Sequence, residues 1–125
     1  MLSDFPAIAT LAVKDLARAK PFYADILGLS LEDENAEVLT FRAGASRLFV
    51  YRSGFAGTNQ ATGATWTVGD VEGEAAALKA KGVRFEHYDG MEGLEQKGDV
   101  YVGQGMSVAW FKDPDGNIIS LVSAG

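Results

Sequence analysis

From Phe5 to Lys14 the chain alternates sides as an extended strand would, with Ile8, Thr10 and Ala12 on one face and Ala9, Leu11 and Val13 on the other. Beyond Asp15 the spacing turns helical as far as Gly28. Asp15 is placed to accept a hydrogen bond from a free N–H at a helix start, and Gly28 suits the left-handed residue that follows a helix. Pro21 would cost a hydrogen bond inside a helix, so the predicted helix is Lys20 to Leu27, with Leu16 to Arg18 a separate turn. Phe22 or Tyr23 and Ile26 would pack on the sheet. The pattern returns 55 residues later: Gly63 to Gly69 reads as a strand ending in Val68-Gly-Asp70. Asp70 to Lys81 follows as a helix that buries Val71, Ala75 and Leu78 and is closed by Gly82.

β-rich sequence follows each copy. After the first come a strand at Leu29 to Asp33 and a hairpin of Glu37 to Ala43 with Ser46 to Arg52 around Gly44. Pairing Ala43 with Ser46 puts Leu39, Phe41, Leu48 and Val50 on one face and Val38, Thr40, Phe49 and Tyr51 on the other. Both faces are apolar, so one covers helices while the other faces a pocket or a partner subunit. After the second copy, Val83 to Tyr88 reads as a strand. Met106 to Lys112 and Asn117 to Val122 read as a hairpin around Asp113-Pro-Asp-Gly116, with Pro114 presetting the first turn dihedral and Gly116 supplying a positive φ. Setting Lys112 opposite Asn117 places Trp110 opposite Ile119 and Val108 opposite Leu121, leaving Ala109, Phe111, Ile118 and Ser120 on the other face. On that parity Trp66 and Trp110 face the helices as core residues, with a pocket or interface role the alternative. Residues 54–62 are glycine-rich and polar and read as a linker between module one (1–53) and module two (63–125). Residues 89–105 hold five glycines and four acidic residues and read as a functional loop or lid, or as a solvated surface loop.

At 125 residues with 47% hydrophobic content the chain is one domain with a real core. Modules of about 55 residues would be marginal alone, so they share a sheet system or swap between subunits. No apolar run is long enough to span a bilayer, and Met1 to Pro6 lacks the basic flank and apolar core of a signal peptide, which predicts a cytoplasmic protein without membrane partners. With no cysteine, disulfides, thiol catalysis and thiolate metal sites are excluded. The net charge of −6 argues against nucleic acid and favours a cationic small ligand, or serves solubility alone.

Two motifs at this separation, Val13-Lys-Asp-Leu-Ala-Arg-Ala with Phe22-Tyr23 and Leu27-Gly28, and the late Phe111-Lys-Asp-Pro-Asp-Gly-Asn117, resemble the vicinal oxygen chelate superfamily of glyoxalase I, bleomycin-resistance proteins and extradiol dioxygenases. The resemblance covers nearly the whole chain. It implies an α+β fold of tandem βαβββ modules forming a curled mixed sheet around a concave pocket, with the helices outside, and subunits that pair as homodimers. Metal-dependent members hold a divalent ion with His and Glu on the first and last strand of each module. Those four places fall here on Ile8, Phe49 (or Tyr51, in the neighbouring register), Gly63 and Ser120, none a usual metal ligand. The resemblance therefore implies no metal and no cofactor in this chain, and it puts lyase, isomerase and dioxygenase chemistry in doubt.

Other chemistry is sparse. His87, the sole histidine, is a candidate general base at a strand end with Tyr88 and Asp89 beside it, or a plain surface residue. Glu86, Asp89, Glu92 and Glu95 could bind a hard cation through oxygen, but their spacing matches no known cation loop and suits a solvated acidic rim. No nucleophile elbow or phosphate loop is present. By parity with the family's ligand positions, the concave face holds Ile8, Thr10, Ala12, Thr40, Phe49, Tyr51, Thr65, Thr67, Phe111, Ile118 and Ser120. Aromatic surfaces with scattered hydroxyls suit a planar or hydrophobic small molecule. The function this predicts is metal-free capture of an aromatic or cationic compound, as in bleomycin-type antibiotic resistance, in a pocket lined by Phe49, Tyr51 and Phe111. The alternatives are an enzyme of the same fold working through His87, Tyr88 and the 89–105 loop, and a regulatory or scaffolding dimer whose apolar face is filled by its partner.

Overall fold

In the computed structural model, which describes residues 1–124, strand β1 (Ala9–Val13) leads into Asp15, whose carboxylate accepts the N–H groups of Ala17 at 2.9 Å and Arg18 at 3.4 Å. That cap starts helix α1 at Leu16, and α1 (Leu16–Pro21) runs straight into a wide π turn, Phe22–Ile26, closed by the Leu27 N–H on the Phe22 carbonyl at 2.9 Å. The expected break between Arg18 and Lys20 is thus absent. Pro21 stands at the exposed end of α1, and the wide turn is one way a chain absorbs the hydrogen bond a proline cannot donate.

Two compact units emerge: Met1–Gly63 with Asp113–Asn117, and Ala64–Lys112 with the residues from Ile118 onward. In the first, β2 (Ser30–Glu34), β3 (Val38–Ala43) and β4 (Ser46–Arg52) join β1 in the order β1-β4-β3-β2, with β1 and β4 parallel and the other pairs antiparallel. Ala43 pairs with Ser46, so the two faces separate as the alternation predicts. Leu11, Val13, Leu39, Phe41, Leu48 and Val50 form the buried face. Ala19, Phe22 and Tyr23 are buried with it, the Tyr23 ring lying 5.8 Å from that of Phe41. Residues 54–62 fall within this unit; Ala56 is buried, and Gly57 (φ +78) runs so close to the Asp115 carbonyl that an added Cβ would sit 2.4 Å from it.

The turn between the last two strands also belongs to the first unit. The Asp113 carboxylate accepts from four donors: the Asp115 and Asn117 N–H groups at 3.0 and 2.8 Å, the Tyr23 hydroxyl at 2.5 Å and Asn117 Nδ2 at 2.8 Å. Asn117 Nδ2 also donates to the Ala12 carbonyl at 2.7 Å. Lys14 N–H and the Arg18 guanidinium reach Asp115 Oδ1, each at 3.3 Å. Burial and the neighbouring Asp113 charge push the Tyr23 phenol far above its ordinary range.

β5 (Thr62–Thr67), which enters the second unit at Ala64, leads through the Asp70 cap, which accepts the Gly73 N–H at 3.1 Å, into α2 (Val71–Ala80). β6 is only Phe85–Glu86, shorter than the expected strand to Tyr88. The 89–105 stretch is not one irregular loop: β7 (Glu95–Lys97) and β8 (Val100–Gly103) form a hairpin that pairs with β9 (Met106–Lys112), beside β10 (Ile118–Ala124). The sheet order is β5-β10-β9-β8-β7, and β6 takes the remaining part of the β9 edge. β6 and β8 therefore divide one edge position along β9 between two short strands. Each unit carries the β-α-β-β-β plan, the second with this hairpin inserted.

One register differs from expectation. Ile118 pairs with Lys112, Ile119 with Phe111 and Ser120 with Trp110. The Asp113 carboxylate captures the Asn117 N–H while the Asp113 N–H bonds the Asn117 carbonyl at 3.0 Å, so Asn117 closes the turn instead of opening the strand. A one-residue slip moves every side chain to the opposite face. Phe111, 1% exposed, lies in the helix-side core with Phe85 at 5.6 Å, Ala109, Ile119 and Leu121, beneath Val71 and Ala75 of α2.

Candidate functional site

The face of the first sheet turned away from α1 brings together four of the predicted ligand residues. Thr10 and Thr40 both lie opposite Phe49, and Ala12 and Val38 both lie opposite Tyr51. Phe49 is half-buried and Tyr51 is 40% exposed, which leaves aromatic surface open to a ligand. The Thr10 hydroxyl donates to the Ile8 carbonyl at 3.2 Å, so its oxygen keeps the capacity to accept from a ligand. At one end of this face Arg42 and Arg47 share Glu32: Arg42 Nε and Nη2 reach one oxygen at 3.1 and 2.8 Å, and Arg47 Nε binds the other. Hydrogen bonding to Arg42 holds the Glu32 carboxyl below its ordinary range. Two guanidiniums on one carboxylate leave a single net positive charge there.

On the open face of the second sheet, Thr65 and Ser120 share a hydrogen bond of 2.7 Å, and Ser120 lies opposite Trp110. Thr67 and Ile118 share this side by alternation. Phe111 does not: the register sets it in the core, and Trp110 takes its place on the open face. The expectation of Trp110 as a helix-facing residue is corrected in the same step, whereas Trp66 keeps the parity of buried Ala64. Trp110 meets the edges of Tyr88 and Tyr101, each at a ring distance of 5.3 Å. Tyr101 does not stand out as a site residue in the sequence, and Trp110 does so only as the alternative to core packing. The signal that could have placed Trp110 was the pair Asp113 and Asn117, two residues able to close a turn through their side chains.

Of the residues that the resemblance sets at metal-ligand places, Ile8, Phe49 and Gly63 carry no side-chain donor, Tyr51, the alternative to Phe49, offers only a neutral phenol, and the Ser120 hydroxyl is buried against Thr65. These residues do not fit a divalent ion. Among the described residues no three His, Asp or Glu side chains cluster as metal ligands. His87 and Tyr88 turn to different surroundings. His87 Nε2 lies 2.8 Å from Asp99 Oδ1, whose other oxygen accepts from Lys79 of α2 at 3.1 Å, and these bonds hold the Asp99 carboxyl low. Tyr88 instead lines a cleft with Asp89, Met91, Glu92, Leu94 and Tyr101, which does not include His87. Burial, with the Glu86 charge second, raises the Tyr88 phenol. No helix among the described residues is long and apolar enough to cross a membrane.

Comparison with known proteins adds a family and a fold. Residues 6–121 match the Glyoxalase/Bleomycin resistance protein/Dioxygenase superfamily. A glyoxalase family protein from Enterococcus faecalis is similar at 20% identity and TM-score 0.74, over 98% of this chain and 99% of that one. Lactoylglutathione lyase from Agrobacterium tumefaciens is similar at 17% identity and TM-score 0.70, over 95% and 92%. The fosfomycin resistance protein FosX from Listeria monocytogenes is similar at 16% identity and TM-score 0.71, over 97% and 93%. Among curated proteins none matches.

Proposed function

The chain belongs to the Glyoxalase/Bleomycin resistance protein/Dioxygenase superfamily, and we propose that within it this protein is a metal-independent binding protein that captures a planar aromatic compound on the open face of its first sheet. The observation that carries this reading is the placement of Phe49 and Tyr51, flanked by Thr10 and Thr40, on a face that α1 leaves uncovered. Aromatic surface supplies the bulk of such an affinity, and the hydroxyls orient the bound ring with few hydrogen bonds. The Arg42–Glu32–Arg47 group at one end gives the face a polarity that favours a ligand with an electron-rich substituent there. Capture needs no covalent step, and Ile8, Phe49, Gly63 and Ser120, which the resemblance sets at the metal-ligand places, are poor ligands for a divalent ion. The likeness to a fosfomycin resistance protein makes an antibiotic one class of compound to try.

The reading includes a homodimer in the cytoplasm, and the exposed apolar side chains of Phe5 and Phe55 on the first unit favour pairing. Native mass spectrometry of the purified protein tests both parts. A dimer carrying an unmodified organic adduct is the expected species, and Phe49→Ala should lower adduct occupancy roughly tenfold while leaving the fold intact. A stoichiometric divalent ion, or a ligand released as a different compound, refutes the proposal. In the second case His87→Ala, which removes the partner of Asp99, tests whether His87 carries the turnover.

A further inference from the structure

We propose a second, separate ligand site in the second unit: a cleft of about 420 Å³ that takes a small organic cation with an apolar body. Its walls are held by contacts to the backbone at Tyr88 and between Gly93 and Gly103. The Tyr101 hydroxyl accepts the Tyr88 N–H at 2.6 Å and donates to the Tyr88 carbonyl at 3.1 Å, locking strand β8 to the start of the insertion. Gly93 lies against the Gln104 side chain, and Gly103 against the Gly93 carbonyl, so closely that a Cβ at either position would overlap its neighbour. At Gly103 the neighbour is backbone, so only glycine permits that approach, and it brings Gly93 and Leu94 against the end of β8.

The chemistry of the lining selects the ligand. Tyr88, packed against Trp110, presents half-buried aromatic surface above the buried Tyr101, and Met91 and Leu94 add apolar, adaptable contacts. The ionisable carboxyl groups of the lining are Asp89 and Glu92, and the lining holds no lysine or arginine. An aromatic wall at Tyr88 with an acidic rim at Asp89 and Glu92 attracts ammonium groups, through charge and through the ring together. None of these residues belongs to the open face of the first sheet, so this site stands or falls independently of the function proposed above.

Isothermal titration with benzyltrimethylammonium, and with uncharged neopentylbenzene-like alcohols of matched size as controls, tests the assignment on the intact 125-residue chain. The cation should bind in the micromolar to millimolar range and the neutral control at least about tenfold more weakly, with affinity falling as salt is raised. Asp89→Asn combined with Glu92→Gln should weaken the cation about tenfold or more at an unchanged melting temperature, while Phe49→Ala leaves it unaltered. Leu94→Lys, which places a positive charge in the lining, should abolish it. Equal binding of the neutral control, insensitivity to the carboxylate changes, or loss of binding on Phe49→Ala would overturn the proposal, as would no heat of binding at 10 mM cation, roughly the upper end of weak specific affinity.

Discussion

Replacing Asp113 by alanine should be among the most damaging single changes in the first unit. The carboxylate, 5% exposed, accepts four hydrogen bonds, and two of its donors have no other partner: the Tyr23 hydroxyl, on a fully buried ring, and the Asn117 N–H. Asn117 Nδ2 keeps the Ala12 carbonyl, and the Asp115 N–H lies near the surface. Each donor orphaned in a dry site costs about 1–3 kcal/mol, so Asp113→Ala should lose about 3–5 kcal/mol. That is a large share of the roughly 5–15 kcal/mol that holds a domain folded. Tyr23→Phe removes one donor from a carboxylate that retains three and should cost only about 1.5–2 kcal/mol. In the double variant the orphaned hydroxyl is gone, so the loss should fall below the sum of the two single losses by at least about 1 kcal/mol. Urea denaturation followed by circular dichroism measures all three. A loss under about 1 kcal/mol for Asp113→Ala, or strict additivity in the double variant, would show that the network does not close the turn as argued.

Other outcomes follow from the same coordinates. Tyr23 has a folded-state pKa raised above its unfolded value near 10, so its contribution is complete below about pH 10 and is lost as the pH rises beyond it. Melting temperatures from pH 8 to 11 should drop more steeply in the wild type than in Tyr23→Phe. Asp99 has a lowered folded pKa, so its stabilisation is present above about pH 4 and disappears as the pH falls through the folded value; the gap in melting temperature between wild type and Asp99→Asn should be visible at pH 6 and shrink by pH 3. Gly57→Ala meets both a left-handed backbone and the Asp115 carbonyl, whereas Gly44→Ala, at φ +58 with open space around it, meets the backbone strain alone. Thermal denaturation should show about 1–2 kcal/mol lost at Gly44 and clearly more at Gly57.

What the sequence determined by itself was local. Asp15 and Asp70 mark helix starts because a short carboxylate beside free N–H groups acts within a few residues, and both cap as their positions predict. The pairing of Ala43 with Ser46, and hence the faces of Thr40, Phe49 and Tyr51, followed from strict alternation across a tight turn. The tertiary structure decided wherever a distant group competed with a local preference. Tyr23, ninety residues away in the chain, binds the Asp113 carboxylate and helps hold Asn117 in the turn, and that slip of one residue exchanged Phe111 for Trp110 on the open face. Pro21 could be absorbed at the end of α1 because the chain opened into a wider turn there. The 89–105 stretch carries no clean alternation, since β7 and β8 are three and four residues long and are held by the β9 edge and by the Tyr101 hydroxyl. Strands that short draw their stability from partners along an edge, and no pattern within their own residues could announce them.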